Sequence, residues 1–120
     1  MIKDTPLQTS AASLFENFSD AAYELSTAQT TFHDAAKRAA EAKRDHDGAR
    51  ADLIDPAREE RPQGKNAEER EAWTHMKLEA EREALYTAED DLADARHALE
   101  QARVSWDVLR YQLRCLEIMK

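Results

Sequence analysis

The sequence predicts an all-α fold, a long antiparallel helical hairpin that forms a two-helix coiled coil with an alanine-rich seam. Gly (2) and Pro (3) are rare in the 120 residues while Ala occurs 22 times, a composition typical of long helices. Apolar residues recur in alternating steps of three and four along two long segments, which indicates heptads. One break separates the segments. We therefore expect a single domain over 1–120, with helix 1 at about 6–54, a loop at about 55–65 and helix 2 at about 67–119.

The first helix has a clear start signal. Thr5 is a candidate cap, Pro6 suits the first helical position, and Gln8 can reach back to complete a capping box. Gly48 costs a helix roughly 1 kcal/mol relative to Ala, yet the heptad phase continues across it. The predicted seam consists of Leu14, Phe18, Ala21, Leu25, Ala28, Phe32, Ala35, Ala39, Ala42, His46, Ala49 and Leu53.

The second helix begins after a segment containing Pro56, Pro62 and Gly64, residues that end helices. Asn66 is a good cap, with Glu69 at the third helical position. The short connection makes the two helices antiparallel. The predicted seam of helix 2 consists of Leu78, Glu81, Leu85, Ala88, Leu92, Ala95, Leu99, Ala102, Trp106, Leu109, Leu113 and Leu116.

The seams suggest a register. Large residues dominate the a positions and alanines the d positions, so that large side chains face alanines across the antiparallel pair. One register places Phe32 by Ala95 and sets His46 opposite Glu81 as a core polar layer. A shift of one heptad, with Phe32 by Ala102, matches large to small equally well.

A second apolar row runs along the c and f positions near the end of helix 2. It comprises Val104, Val108, Tyr111, Cys115 and Ile118. A helix that is apolar on two faces is usually buried on both.

Three arrangements can cover this second row. Two hairpins can dimerise into a four-helix bundle, since two-fold homodimers are the commonest symmetric assemblies. Residues 1–8 can fold back over the row, or a different protein can dock there. We expect a homodimer with the row as the apolar interface, and we expect the protein to bind and modulate a protein partner.

Composition limits the other function classes. The net charge of −8 argues against direct nucleic-acid binding, because such binding needs Lys and Arg to neutralise phosphates. An alternative function is that of an acidic nucleic-acid mimic that inhibits a host nuclease or defence complex, with Glu89, Asp90, Asp91 and Asp94 as its acids.

No motif indicates catalysis, a cofactor or a metal site. Asp94-x-x-His97 has the spacing used in di-iron bundles, but such a site needs that motif twice. We therefore expect a protein that is not an enzyme. The single Cys115 and the lack of an apolar stretch of membrane-spanning length predict a cytoplasmic protein with no membrane partner.

The segment Gly64-Lys65-Asn66-Ala67-Glu68-Glu69-Arg70-Glu71-Ala72, followed by a long Ala/Leu/Glu helix, resembles a group of small phage and prophage helical-hairpin proteins. These share a turn of the form Gly-x-Asn-Ala-Glu-x-Arg before the second helix, and most lack an assigned function. The resemblance covers roughly the second half of the chain. It implies a phage or mobile-element accessory protein acting in the host cytoplasm, and it transfers no catalytic residue.

Overall fold

The computed structural model describes residues 6–57 and 60–119, with side chains from residue 12 onward. These residues form three helices and no strand: α1 (Pro6–Ile54), α2 (Ala67–Lys77) and α3 (Glu79–Ile118). The predicted all-α helical hairpin is confirmed, with α1 as one arm and α2 followed by α3 as the other. Thr5, the predicted cap of α1, lies outside the described residues.

The chain divides into two compact units, one of residues 1–33 with 94–120 and the other of residues 34–93. In the first unit the predicted seam forms the core. Its buried apolar side chains are Leu14, Ala21, Ala95, Leu99 and Ala102. Three of the five are alanines, which lets the two helices approach closely.

Aromatic side chains complete the seam of the first unit. The rings of Phe18 and Trp106 pack edge to face, with centroids 5.3 Å apart and an interplanar angle of 85°. The Arg96 guanidinium lies 5.9 Å from the centroid of the Phe32 ring. Because Arg96 adjoins Ala95 in the chain, this contact agrees with the register that places Phe32 by Ala95, and not with the shift of one heptad.

One predicted seam residue is exposed. Leu113 is 42% exposed and lines a shallow groove with Arg110 and Arg114, away from α1.

The second unit contains a buried hydroxyl. Thr74 is only 2% exposed, and its Oγ1 donates a 2.9 Å hydrogen bond to the carbonyl of Arg70 one turn earlier. This bond satisfies the hydroxyl inside the helix, so its burial leaves no donor unpaired. The buried apolar side chains of the second unit are Ala35, Ala39, Leu53 and Leu78.

The second predicted helix is divided at Leu78, which has φ −98° and ψ 15°. Threonine bonding to the carbonyl four residues earlier bends helices, and Thr74 makes such a bond one turn before the break. Hydrogen bonding nevertheless continues: Leu78 N donates to Thr74 O at 3.2 Å, and Arg82 N donates to Leu78 O at 2.8 Å. The backbone hydrogen bonds therefore continue through the break.

Several residues of the Gly-Lys-Asn-Ala-Glu-Glu-Arg segment have structural roles in the turn before α2. Asn66 Oδ1 accepts from Glu69 N at 2.8 Å, and Glu69 Oε2 accepts from Lys65 N at 2.6 Å. The Asn66 side chain therefore caps the first turn of α2, and the Glu69 side chain binds the backbone N–H of the residue before the cap. Gly64 has φ +145°, and a Cβ there would lie 2.6 Å from Glu69 Cβ and 2.7 Å from Arg70 N. Only glycine fits this close approach.

An ion pair that the sequence did not reveal joins α1 to α2 in the second unit. Arg50 Nη1 and Nη2 donate to the two carboxylate oxygens of Glu71 at 2.9 and 3.2 Å. These hydrogen bonds, and then the charge of Arg50, hold the pKa of Glu71 below its ordinary value, and the same contact raises the pKa of Arg50. The geometry is bidentate, which fixes the orientation of both side chains.

The two glycines provide a matched pair of stability tests. Gly64→Ala places a methyl group against α2 in a positive-φ conformation, and we expect it to destabilise the fold by about 1–3 kcal/mol. Gly48→Ala adds a methyl group at a helix position with nothing within 4 Å, and we expect it to stabilise by about 0.5–1 kcal/mol. Urea unfolding followed by circular dichroism measures both. Equal effects of the two substitutions would contradict the strained turn.

The Arg50–Glu71 pair gives a pH prediction. A carboxyl group whose pKa is lowered by folding stabilises the fold above its ordinary pKa, and this contribution is lost as pH falls through the lowered value. We expect Arg50→Gln to move the pKa of Glu71 back up towards its ordinary value, measured by carbon NMR of the labelled carboxyl group. The control Arg44→Gln, which removes an arginine elsewhere on α1, should leave it in place. A Glu71 pKa that is the same in Arg50→Gln as in the native chain would show that the pair does not form in solution.

Candidate functional site

The predicted second apolar row lies on one exposed face of α3. Val104 is 62% exposed, Val108 51%, Tyr111 71% and Ile118 77%, and Cys115 is an exposed free thiol. The structure thus brings these five residues together along one helix and leaves them open to solvent. A contiguous exposed apolar patch of this kind marks an interaction site in many proteins.

The face is defined by the absence of charge as much as by its apolar residues. From residue 97 to 119, no c, f or g position carries Asp, Glu, Lys or Arg, and all these positions are exposed. We call them the uncharged face: His97, Ala98, Gln101, Val104, Ser105, Val108, Tyr111, Gln112, Cys115, Ile118 and Met119. The charged residues of the same segment all occupy b and e positions: Glu100, Arg103, Asp107, Arg110, Arg114 and Glu117. Charge is thereby confined to a narrow strip between the seam and the uncharged face.

Two open grooves border this face. One, of about 600 Å³, is lined by the valines with Tyr111, Cys115 and Leu14. The other, of about 490 Å³, lies where Val104 and Val108 meet Asp20 and Glu24 of α1. The face therefore borders α1 along the second groove, and the acids Asp20 and Glu24 lie on that side.

The other edge of the uncharged face carries both signs of charge. Asp107 Oδ1 lies 3.7 Å from Arg110 Nη1, one turn along the helix, and both side chains are about two-thirds exposed. Arg114 follows Asp107 by seven residues and therefore lies on the same strip of α3. This part of the edge thus carries one acid and two bases.

Charge density differs sharply along α1. Residues 6–33 hold three charged residues, Glu16, Asp20 and Glu24, and no Lys or Arg, whereas residues 34–54 hold ten. Dense mixed charge is typical of a solvated helix surface. The part of α1 that packs beside the uncharged face is thus itself low in charge, which singles out the first unit as the candidate binding end.

The predicted polar layer is placed differently from the apolar row. His46 and Glu81 are both half-buried in the second unit. The recorded hydrogen bond of His46 joins Nδ1 to Asp47 Oδ1 at 3.2 Å, and no hydrogen bond between His46 and Glu81 is found among the described side chains. The pairing of His46 with Glu81 stays a prediction.

Sequence reasoning found the apolar row but missed its boundaries. The two edges of the uncharged face, Ser105 with Gln112 on one side and Asp107 with Arg114 on the other, drew no attention as individual residues. Plotting charge by heptad position, and not only hydrophobicity, would have revealed them. Within residues 6–57 and 60–119, no group of three or more His, Cys, Asp or Glu side chains is arranged to hold a metal ion.

None of the helices, over the residues described, is long and apolar enough to cross a membrane. Comparison of the chain with models of protein families, with curated proteins and with solved structures finds no match.

Proposed function

We propose that the chain is a non-catalytic protein–protein interaction module and that the uncharged face of α3 is its contact surface. The observation that carries the proposal is the coincidence of exposure and missing charge over six turns of one helix. Leaving Val104, Val108, Tyr111 and Ile118 in water forgoes burial that is worth about 25 cal/mol per Å² of apolar surface. A protein partner that covers the face recovers this free energy without stranding a buried charge.

The composition of the face also suits a protein partner. Interface centres are depleted in charged residues and enriched in aromatic residues and Met, and this face holds Tyr111 at its middle and Met119 at its end. Its polar members, such as Ser105 and Gln112, can hydrogen-bond without a charge to desolvate.

The setting of this module is proposed from the sequence. The resemblance of residues 64–72 to phage proteins favours a partner encoded by a mobile element or its host. The exposed thiol of Cys115 favours a reducing compartment such as the cytoplasm. The capping bonds of Asn66 and Glu69 give the shared turn a structural purpose, so we assign the contact surface to α3 and not to the turn.

A second candidate is the acidic mimic of a nucleic acid. It is favoured by the exposed acids Glu89, Asp90 and Asp91, since no Lys or Arg occurs between Arg82 and Arg96. The same unit, however, exposes four bases on α1: Lys37, Arg38, Lys43 and Arg44. Mixed charge of this kind weakens a phosphate-like field, so we rank this function second.

The contact surface is tested by photo-crosslinking in cells that express the chain. A benzoylphenylalanine replaces Tyr111 on the uncharged face, and a matched variant carries it at Tyr86, which is 53% exposed on the same helix. We expect strong crosslinks to protein from position 111, either to another protein or to a second copy, and few from position 86. Val108→Glu, combined with the probe at 111, should remove them because it places a charge in the contact.

The control for this experiment is helix content. Val108 is half exposed, so Val108→Glu should leave the circular dichroism spectrum unchanged. Crosslinking from position 111 that is no stronger than from position 86, or that persists in Val108→Glu, contradicts the proposed surface.

The acidic mimic makes a different prediction about salt. Binding through exposed acids weakens steeply as ionic strength rises from 0.05 to about 0.5 M, because charges beyond roughly 10 Å are screened at 0.1 M. Binding through the uncharged face should change less than about threefold over the same range. A salt titration of any partner complex, with Glu89→Gln/Asp90→Asn/Asp91→Asn as the variant, decides between them.

A further inference from the structure

The uncharged face is complementary to itself, and we infer that its partner is a second copy of this chain, with the two α3 helices packed antiparallel about a two-fold axis between Val108 and Tyr111. This inference rests on the proposed function and names the occupant of the proposed surface. The side chains that such an axis brings together support this pairing.

The axis produces matched apolar layers. With Val108 facing the partner's Tyr111, Val104 faces the partner's Cys115 one layer further out, and symmetry repeats both layers. The apolar positions of the face recur in steps of four, three, four and three, the spacing of a second coiled-coil seam. Each layer pairs a valine with a larger or softer side chain, which avoids two large residues meeting.

The same axis brings opposite charges together at one edge. Asp107 precedes Val108 and Arg114 precedes Cys115, so both lie on the b edge of the face. In an antiparallel symmetric pair this edge meets its own copy, which puts Asp107 beside the partner's Arg114 and Arg114 beside the partner's Asp107. Both side chains are exposed in the chain as it stands, and the Asp107–Arg110 contact of 3.7 Å is longer than a strong ion-pair hydrogen bond.

The opposite edge is matched as well. There Ser105 meets the partner's Gln112, two uncharged groups that can hydrogen-bond. Ser105 and Gln112 also line the groove that contains Asp20 and Glu24, so the acids of α1 lie next to this edge.

Neighbouring registers fail on the charged edge. A shift of seven residues, about 10 Å along the helix, places Arg114 beside the partner's Arg114 in one direction and Asp107 beside the partner's Asp107 in the other. Like charges directly opposite one another disfavour a pairing. In the second of these shifts Glu100 also lies beside the partner's Arg114, so opposite-sign contacts flank the Asp107 pair. Only the register centred between Val108 and Tyr111 gives opposite-sign contacts on this edge with no like-charge contact, and this selectivity favours self-association over a featureless apolar docking surface.

The first test is a disulfide trap. In Val104→Cys, the new thiol faces the partner's Cys115, and mild oxidation should give a covalent dimer with a 104–115 link identified by mass spectrometry. A bridge requires Cα atoms within about 7 Å, so the native chain, whose only thiol is Cys115, should stay uncrosslinked. The control Val104→Cys with Cys115→Ser should also stay uncrosslinked, because the two 104 positions lie far apart along the axis.

The second test is a charge swap measured by the concentration dependence of mass in light scattering. Asp107→Arg should weaken the dimer at least tenfold, because it opposes two arginines at two symmetric contacts. Arg114→Asp should do the same. The double variant Asp107→Arg with Arg114→Asp should return to within about threefold of the native chain, since the pairs are re-formed in reverse.

Three outcomes overturn the inference. The first is a Cys115–Cys115 disulfide in the native chain, which indicates parallel helices. The second is a double swap that stays as weak as the single variants. The third is a native chain that is monomeric up to about millimolar concentration, and if position 111 still crosslinks to another protein, the proposed surface survives while the second copy as its occupant does not.

Discussion

The contact of alanines with large side chains along one seam is the constraint on which the rest of this structure depends. Among the described residues, five of the nine buried apolar side chains are alanines. An alanine buries little apolar area, so this core draws its stability from close helix approach and many small van der Waals contacts. Edge-to-face packing of Phe18 and Trp106 adds one larger contact to the first unit. A hairpin built this way has only one internal face per helix, and everything outside the seam faces either water or another molecule.

A thin core makes local hydrogen bonds more important than in a globular domain. The bonds from Glu69 N to Asn66 and from Lys65 N to Glu69 fix where α2 begins, and Gly64 permits the close approach of the turn to α2. One helical turn before the break at Leu78, the Thr74 hydroxyl donates a hydrogen bond to the Arg70 carbonyl of its own helix. At the break, Arg82 reaches back to the carbonyl of His75 at 3.4 Å, which gives that carbonyl a further donor. These bonds all lie within one segment of chain, so they hold the path of the backbone without help from a surrounding core.

The predictability of each feature follows from the range of the interactions behind it. The positions of the helices and of the seam follow from the periodic spacing of the apolar residues. The structure ends α1 at Ile54. The division at Leu78 was not predictable from the same pattern, because Leu78 keeps the heptad phase and its backbone conformation leaves no mark in the spacing of the apolar residues. The Arg50–Glu71 pair was missed for a related reason: many charges flank the seam, and only the actual path of the connection decides which of them meet. The apolar row on α3 was predicted residue by residue, whereas its charged and polar edges carry no hydrophobic signal.

The distribution of charge links the fold to the proposed function. A protein of two packed helices stays apart from other molecules when charged residues cover its outer faces, and residues 34–54 of α1 are covered in this way. The first unit departs from this rule on both helices at once, since residues 6–33 carry only acids and residues 97–119 carry their charges only at b and e positions. Hydrophobicity alone would favour any apolar partner, and a surface of that kind is prone to nonspecific association. The opposite charges of Asp107 and Arg114 on one edge supply the selectivity that the apolar row lacks, because a shift of seven residues in either direction places one of these two residues beside its own copy. The sequence thus places apolar residues where burial stabilises an interface and charges where they choose between alternative pairings.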